Sequence, residues 1–292
     1  ASTNLIGGQP FSIRNMMDVR QVADKYGIML VLDASLLGEN AYLVKQREEQ
    51  WKENSMADII KMMTGLADLV YFSARKLTSS RGGGICTNNQ KLYKQMEPLI
   101  PLFEGFLTYG GMSIREIEAM AVGIYETIDE TMISQSVDFI KYCVESAVKA
   151  GIPMVTPPGV LGAHVNAGEF CSHIPQSEYP AGALAAAFYL CSGVRGMERG
   201  TMSSVRDENG VEIPADVELM RLAFPRRVFT LSQTKYVVDR LAWLYENRNL
   251  IGGLKFTYEP SVLRFFMGEL EPTSDWPSRI VEKFRKDFGD SL

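Results

Sequence analysis

Two apolar runs without alternation, Ile28 to Leu32 ending at Asp33 and Leu69-Val70-Tyr71-Phe72, are what most narrows the folds open to this chain. A strand with one wet face alternates apolar and polar residues. A continuous apolar run suits a strand buried on both faces, as in a parallel sheet covered by helices. Between the runs, Ser55-x-x-Asp58 has the spacing of a capping box, and Met56, Ile59, Ile60 and Met63 keep helical spacing. Before them, Val19, Val22, Ala23 and Tyr26 line one face of a helix that Gly27 ends. Strand, helix, strand in this order predicts an α/β fold with right-handed crossovers.

At 292 residues with 46% hydrophobic content, the chain can build two packed domains. A net charge of −5 with no basic block argues against nucleic acid and anionic membrane surfaces as partners. No apolar run reaches the length of about 18 residues that a membrane helix needs. The first residues lack the charged start and apolar core of a signal peptide. Cys86, Cys143, Cys171 and Cys191 sit among apolar residues without metal-ligand spacing and read as reduced core thiols of a cytoplasmic protein. With only His164 and His173 and no Cys/His/Asp cluster, neither a zinc site nor a histidine-dependent triad is expected.

The second half changes character. A long helix from about 129 to 150 carries Val137, Ile140, Val144 and Ala147 on one face. Residues 232–247 form another amphipathic helix, with Val238, Leu241, Ala242 and Tyr245 inward. This predicts one domain over 1–128 and a second, small α+β domain over 129–292. A charged tail from about 268 reads as a surface helix.

Asp33 ends one apolar run and Lys76 follows the other, 43 positions later. In open α/β sheets the carboxyl ends of the strands share one crevice. Taken singly, Lys76 reads as a solvated loop lysine and Asp33 as a helix cap. Taken as a pair at that edge, they suit pyridoxal phosphate. The lysine forms an imine with the cofactor aldehyde, and the carboxylate keeps the pyridine nitrogen protonated.

The blocks "NLIGGQPFSIRNM", "VLDASLLGENAYLVKQREEQW", "FSARK", "GMERG", "MRLAFPRRVFT" and "GLKFTYEPSVLRFF" occur in order between Asn4 and Phe266. They resemble the pyridoxal-phosphate β-eliminating lyases, the family of tyrosine phenol-lyase and tryptophanase, with the nearer likeness to the former. The resemblance implies an α/β fold of the aspartate aminotransferase type (fold type I), with a large cofactor domain and a smaller α+β domain. It implies Lys76 as the Schiff-base lysine that also moves the Cα proton, Ser73 at the cofactor phosphate, Asp33 at the pyridine nitrogen and Asn4 beside the phenolic oxygen. It implies Arg221 at the substrate carboxylate, where a bidentate guanidinium suits the task, with Arg226 and Arg227 as solvated strand-end charges. Arg199 would meet a phenol hydroxyl and Phe265 the substrate ring. The main chain near Arg81 would supply one oxygen of a monovalent-cation (potassium) site. An aromatic amino acid would enter as an external aldimine and pass through a quinonoid, leaving pyruvate and ammonia.

Four departures stand beside that likeness. The family's Asp-Ala-Thr-Arg is here Asp33-Ala34-Ser35-Leu36, so the arginine facing the phenolic oxygen is lost. Arg75 replaces a lysine, and Leu161 aligns with the family's active-site histidine. The family's phosphate-binding loop and cofactor-stacking ring precede the position matching Ala1, so the large domain is expected to be N-terminally incomplete. A second polypeptide is then expected to supply that part within a homo- or hetero-oligomer. The alternative is a diverged subunit with other pyridoxal chemistry, or one that only supports a partner.

Overall fold

The computed structural model of the chain describes residues 2, 7–204 and 206–289. The chain is a mixed α/β protein whose contacts divide into two units. Among the described residues, the first comprises residues 2, 8–138 and 225–227, the second residues 7, 139–224 and 228–289. Among the described residues no helix is long and apolar enough to cross a membrane.

In the first unit, α1 (Ile13–Tyr26) precedes β1 (Val31–Asp33), α2 (Leu37–Arg47) and α3 (Met56–Gly65) fill the crossover, and β2 (Leu69–Ser73) pairs parallel with β1. The Ser12 and Ser55 hydroxyls accept from Asn15 N and Asp58 N, so both helices start where a side chain satisfies an orphan donor. Gly27 closes α1 in the left-handed conformation. A four-residue helix, α4 (Ala74–Leu77), leaves β2, and β3 (Gly83–Cys86) returns antiparallel to it. Helices α5 (Gln90–Met96), α6 (Leu99–Phe103) and α7 (Ile114–Glu126) follow, and α8 (Glu130–Lys149) belongs to this unit as far as Asp138 and to the second from Phe139 on. Ile13, Met16, Leu32, Ala41, Ile59 and Met63 form the core, with the Asn40 amide buried against the Phe11 backbone.

The face expected of α1 is corrected. Ile13, Met16 and Ala23 are buried, while Val19, Val22 and Tyr26 are exposed. Ile28, Met29 and Val31 are exposed too, so the β1 run is not covered on both faces by this chain.

In the second unit, β4 (Gly162–Asn166), α9 (Ala167–Phe170), α10 (Pro180–Ser192), β5 (Met197–Arg199) and β6 (Leu219–Ala223) come first. Then come α11 (Leu231–Glu246), β7 (Leu254–Tyr258), α12 (Arg264–Met267), β8 (Glu269–Pro272) and α13 (Trp276–Phe288). The order β4-β6-β5 makes an antiparallel sheet, and β7-β8 form a hairpin pair. Ile140, Val144 and Ala147 of α8 are buried as their spacing predicts, as are Val238 and Leu241 of α11. The charged tail is more than a surface helix: Trp276, Ile280 and Phe284 of α13 enter the core.

Candidate functional site

Asp33 and Lys76 are brought together in the first unit by main-chain bonds between two strand ends. Ala34 N donates to Tyr71 O at 2.7 Å, extending the parallel ladder one step past Asp33. The Asp33 carboxylate accepts from Ser35 N at 2.9 Å, which turns the chain. Ser35 Oγ in turn accepts from Ser73 N at 3.0 Å, joining the end of β1 to the end of β2.

Burial pushes the Asp33 carboxyl up, but the two Ser35 hydrogen bonds, with a smaller effect of nearby positive charge that includes Lys76, leave Asp33 below the ordinary carboxylate range. The Lys76 ammonium is therefore within electrostatic reach of Asp33, and it is exposed in this chain. The Tyr71 hydroxyl also bonds to Asp33, whose negative charge raises the Tyr71 pKa. Ser73 sits at the start of α4, and its side chain makes no capping bond to that helix.

The donor set fits pyridoxal phosphate. An anionic carboxylate suits a protonated pyridine nitrogen, an accessible lysine suits an aldehyde, and a hydroxyl not spent on capping its helix suits a phosphate oxygen. Leu36 is buried and starts α2 without a side-chain cap. Asn4 lies outside the described residues. Arg81 N donates to Glu116 Oε2 at 3.2 Å, and no cluster of metal-binding side chains occurs among the described residues.

In the second unit the sheet register sets the other candidates. Arg221 of β6 lies opposite His164 of β4 and Met197 of β5, and Arg199 opposite Leu219. Directly opposed residues share a face, so His164, Arg221 and Arg199 project from the same side. Burial pushes Arg221 down to about 10, helped by the neighbouring Arg199 charge. Two guanidiniums facing one region, one partly desolvated, make an anion-attracting pair. The Arg199 guanidinium lies 5.6 Å from the Phe265 ring centroid. Leu161 adopts a positive φ of 75° just before β4, and His164, at 1% exposure, lies in the row with Arg221.

Sequence reasoning missed the groups that hold these residues in place. Arg264, 7% exposed, donates to Thr201 O at 2.6 Å and Met202 O at 3.2 Å, and pairs with Glu212 and Glu259. It ties the turn after Arg199 to the helix of Phe265. Glu198, beside Arg199, is 3% exposed and bonded by Ser203 Oγ. Arg226 is not a solvated strand-end charge. It pairs with Glu39, and the two side chains are 9% and 3% exposed. Arg227, half-exposed, pairs with Glu126. Three of the cysteines are buried with thiols pushed up to about 12 by burial, whereas Cys86 is exposed rather than in the core.

Comparison with known proteins gives a consistent set. The family model described as Beta-eliminating lyase matches residues 1–240. A tyrosine phenol-lyase of Pasteurella multocida is 41% identical over 273 residues, which is 93% of this chain and 60% of that protein. A tyrosine phenol-lyase of Lacrimispora saccharolytica is 42% identical, over 93% of this chain and 58% of its own length. A protein of Aeropyrum pernix named "Probable tryptophanase" is 40% identical, over 93% and 59% respectively. The chain thus spans about 60% of the length of the curated relatives it matches.

Proposed function

The chain belongs to the β-eliminating lyase family, and we propose that it is the larger part of a cytoplasmic pyridoxal-phosphate-dependent carbon–carbon lyase for a tyrosine-like amino acid, releasing pyruvate and ammonia. The observation that carries this reading is the Asp33–Ser35–Ser73 linkage, which sets an anionic carboxylate near Lys76 at the ends of two parallel strands. When bound, the cofactor supplies an electron sink for the pair left at Cα. Asp33 would hold the proton on the pyridine nitrogen, since a carboxylate already stabilised as an anion favours a cationic partner. Lys76 Nζ would hold the aldehyde and, once released, carry the Cα proton. Ser73 and Asn4 would contact the phosphate and the phenolic oxygen.

In the second unit Arg221, still cationic at neutral pH, would bind the substrate carboxylate. Arg199 would donate to the phenol hydroxyl, with Phe265 against the ring. The names of the relatives, tyrosine phenol-lyase twice and tryptophanase once, favour the phenolic over the indole side chain. Arg199→Ala in the complete enzyme tests this. A site built to hydrogen-bond a hydroxyl rejects its deoxy analogue by about 10⁴-fold in favourable cases. Arg199→Ala is therefore expected to collapse the preference for tyrosine over other amino acids by about 10²-fold or more. An unchanged preference, with pyruvate still formed, would overturn the phenolic reading.

The fold we propose is the aspartate aminotransferase type, with a large cofactor domain over 1–128 completed by a further polypeptide segment. Two observations support it: the length of the relatives not matched here, and the exposed apolar side chains of the first unit. Phe103, Phe106, Ile114 and Tyr125 are each at least 70% exposed. A monovalent-cation site at the Arg81 main chain would be shared with that segment. Purified alone, this chain is expected to self-associate and to bind pyridoxal phosphate weakly. A monomer of 32.6 kDa in solution that binds the cofactor tightly would refute the shared site.

A further inference from the structure

The helix that carries Lys76 has four residues, too few to set its own direction by helical cooperativity. Its orientation depends on what grips its ends. At the start, Ala74 N donates to Gly82 O at 2.9 Å. At the end, Leu77 O accepts from Thr127 Oγ at 2.8 Å and from Arg226 Nη1 at 2.7 Å. Helix α7 lies so close that a Cβ on Gly123 would stand 2.2 Å from Thr78 O.

Arg226 reaches Leu77 O from 149 positions later in sequence, and its remaining edge is held elsewhere. Its Nε and Nη2 meet the two oxygens of Glu39 at 2.5 and 2.8 Å. Glu39 stands in the first turn of α2, six residues after Asp33. One planar guanidinium therefore bridges the helix that follows Asp33 and the helix that bears Lys76. A lysine at 226 could not do this, because an ammonium has no rigid fork for the carboxylate with a third donor fixed in line. A buried ion pair adds little net stability, because desolvation offsets its attraction. Its effect lies in geometry.

We propose that Arg226 is a positioning residue for the reaction: anchored by Glu39, it fixes the direction of Lys76 relative to Asp33 through the Leu77 carbonyl. It touches neither substrate nor cofactor. The inference rests on the reading of Lys76 as the cofactor lysine, and the test separates the two. The complete enzyme, loaded with pyridoxal phosphate, is compared as wild type, Arg226→Lys and Arg227→Lys, the last altering only the half-exposed neighbour. Glu39→Gln, which keeps the shape and one good acceptor, is the second variant should Arg226→Lys fold poorly.

Three readouts are taken: the pH midpoint of the visible absorbance change, kcat against KM, and hydrogen exchange at the Thr78 amide, which donates to Ala74 O at 2.8 Å. Arg226→Lys is expected to shift the midpoint, lower kcat with KM nearly unchanged, and cut Thr78 protection about tenfold or more. Glu39→Gln is expected to act in the same direction, and Arg227→Lys to leave all three readouts at wild-type values. Wild-type midpoint and Thr78 protection in both Arg226→Lys and Glu39→Gln would overturn the positioning role. Borohydride labelling of a lysine other than Lys76 in the wild type would instead overturn the functional reading, with Thr78 protection still deciding the clamp.

Discussion

Lys76→Ala is expected to remove the visible absorbance of bound cofactor and to lower kcat by about 10²- to 10⁴-fold, the range that a positioned proton carrier supplies. Loss of the covalent attachment adds to that. The fold should survive. Lys76 is exposed, and the bonds that hold its helix run through the backbone of Ala74, Leu77 and Thr78 rather than through its side chain. Its melting is therefore expected to stay within about 0.5 kcal/mol of wild type, as for an ordinary surface substitution. Borohydride reduction of the wild type followed by peptide mapping should place the label on Lys76. A variant that keeps the absorbance and turns over normally would show that another lysine holds the cofactor.

What could be read from the sequence was local. The β1 and β2 strands, the Ser55 cap, and the stripes of α8 and α11 each depend on residues a few positions apart, and the structure has them, although neither strand is buried on both faces. Asp33 and Lys76 were legible because strand ends in an α/β sheet share an edge whatever the intervening detail. The misreadings came where a partner decides. Val19, Val22 and Tyr26 make an apolar stripe, but periodicity does not say what covers it, and here they are exposed. The Arg226–Glu39 pair spans 187 positions and leaves no local signature, so Arg226 looked like one more charge beside Arg227. Arg264 was hidden for the same reason. Its acceptors Thr201, Met202 and Glu212 lie far upstream and are distinguished by nothing in the order of residues. The tail was misread because its charges outnumber the three side chains, Trp276, Ile280 and Phe284, that anchor it.

Glu198 carries the second large effect, and it acts on stability. Burial raises its carboxyl to about 7, while the Ser203 hydroxyl lowers it, the Glu218 charge raises it, and the Gly200 N–H and the Arg199 charge lower it. Its Oε1 has no hydrogen-bond partner among the described residues. The folded chain therefore favours the neutral acid. Between the ordinary value of 4.5 and about 7, the folded state holds a proton that the unfolded state has released. Stability contributed by this group is then fully present below about 4.5, falls as pH rises through that window, and levels off above about 7. Glu198→Gln keeps the shape and removes the titration. It is expected to match wild type near pH 5 and to exceed it at pH 8, by about 3 kcal/mol as an upper value. Urea unfolding at the two pH values, followed by fluorescence of the buried Trp243 and Trp276, measures the difference. Equal stability of wild type and variant at pH 8 would mean that Glu198 is charged without cost in the fold. The Ser203 hydroxyl, the Gly200 N–H and the Arg199 charge would then together offset the cost of burying that charge.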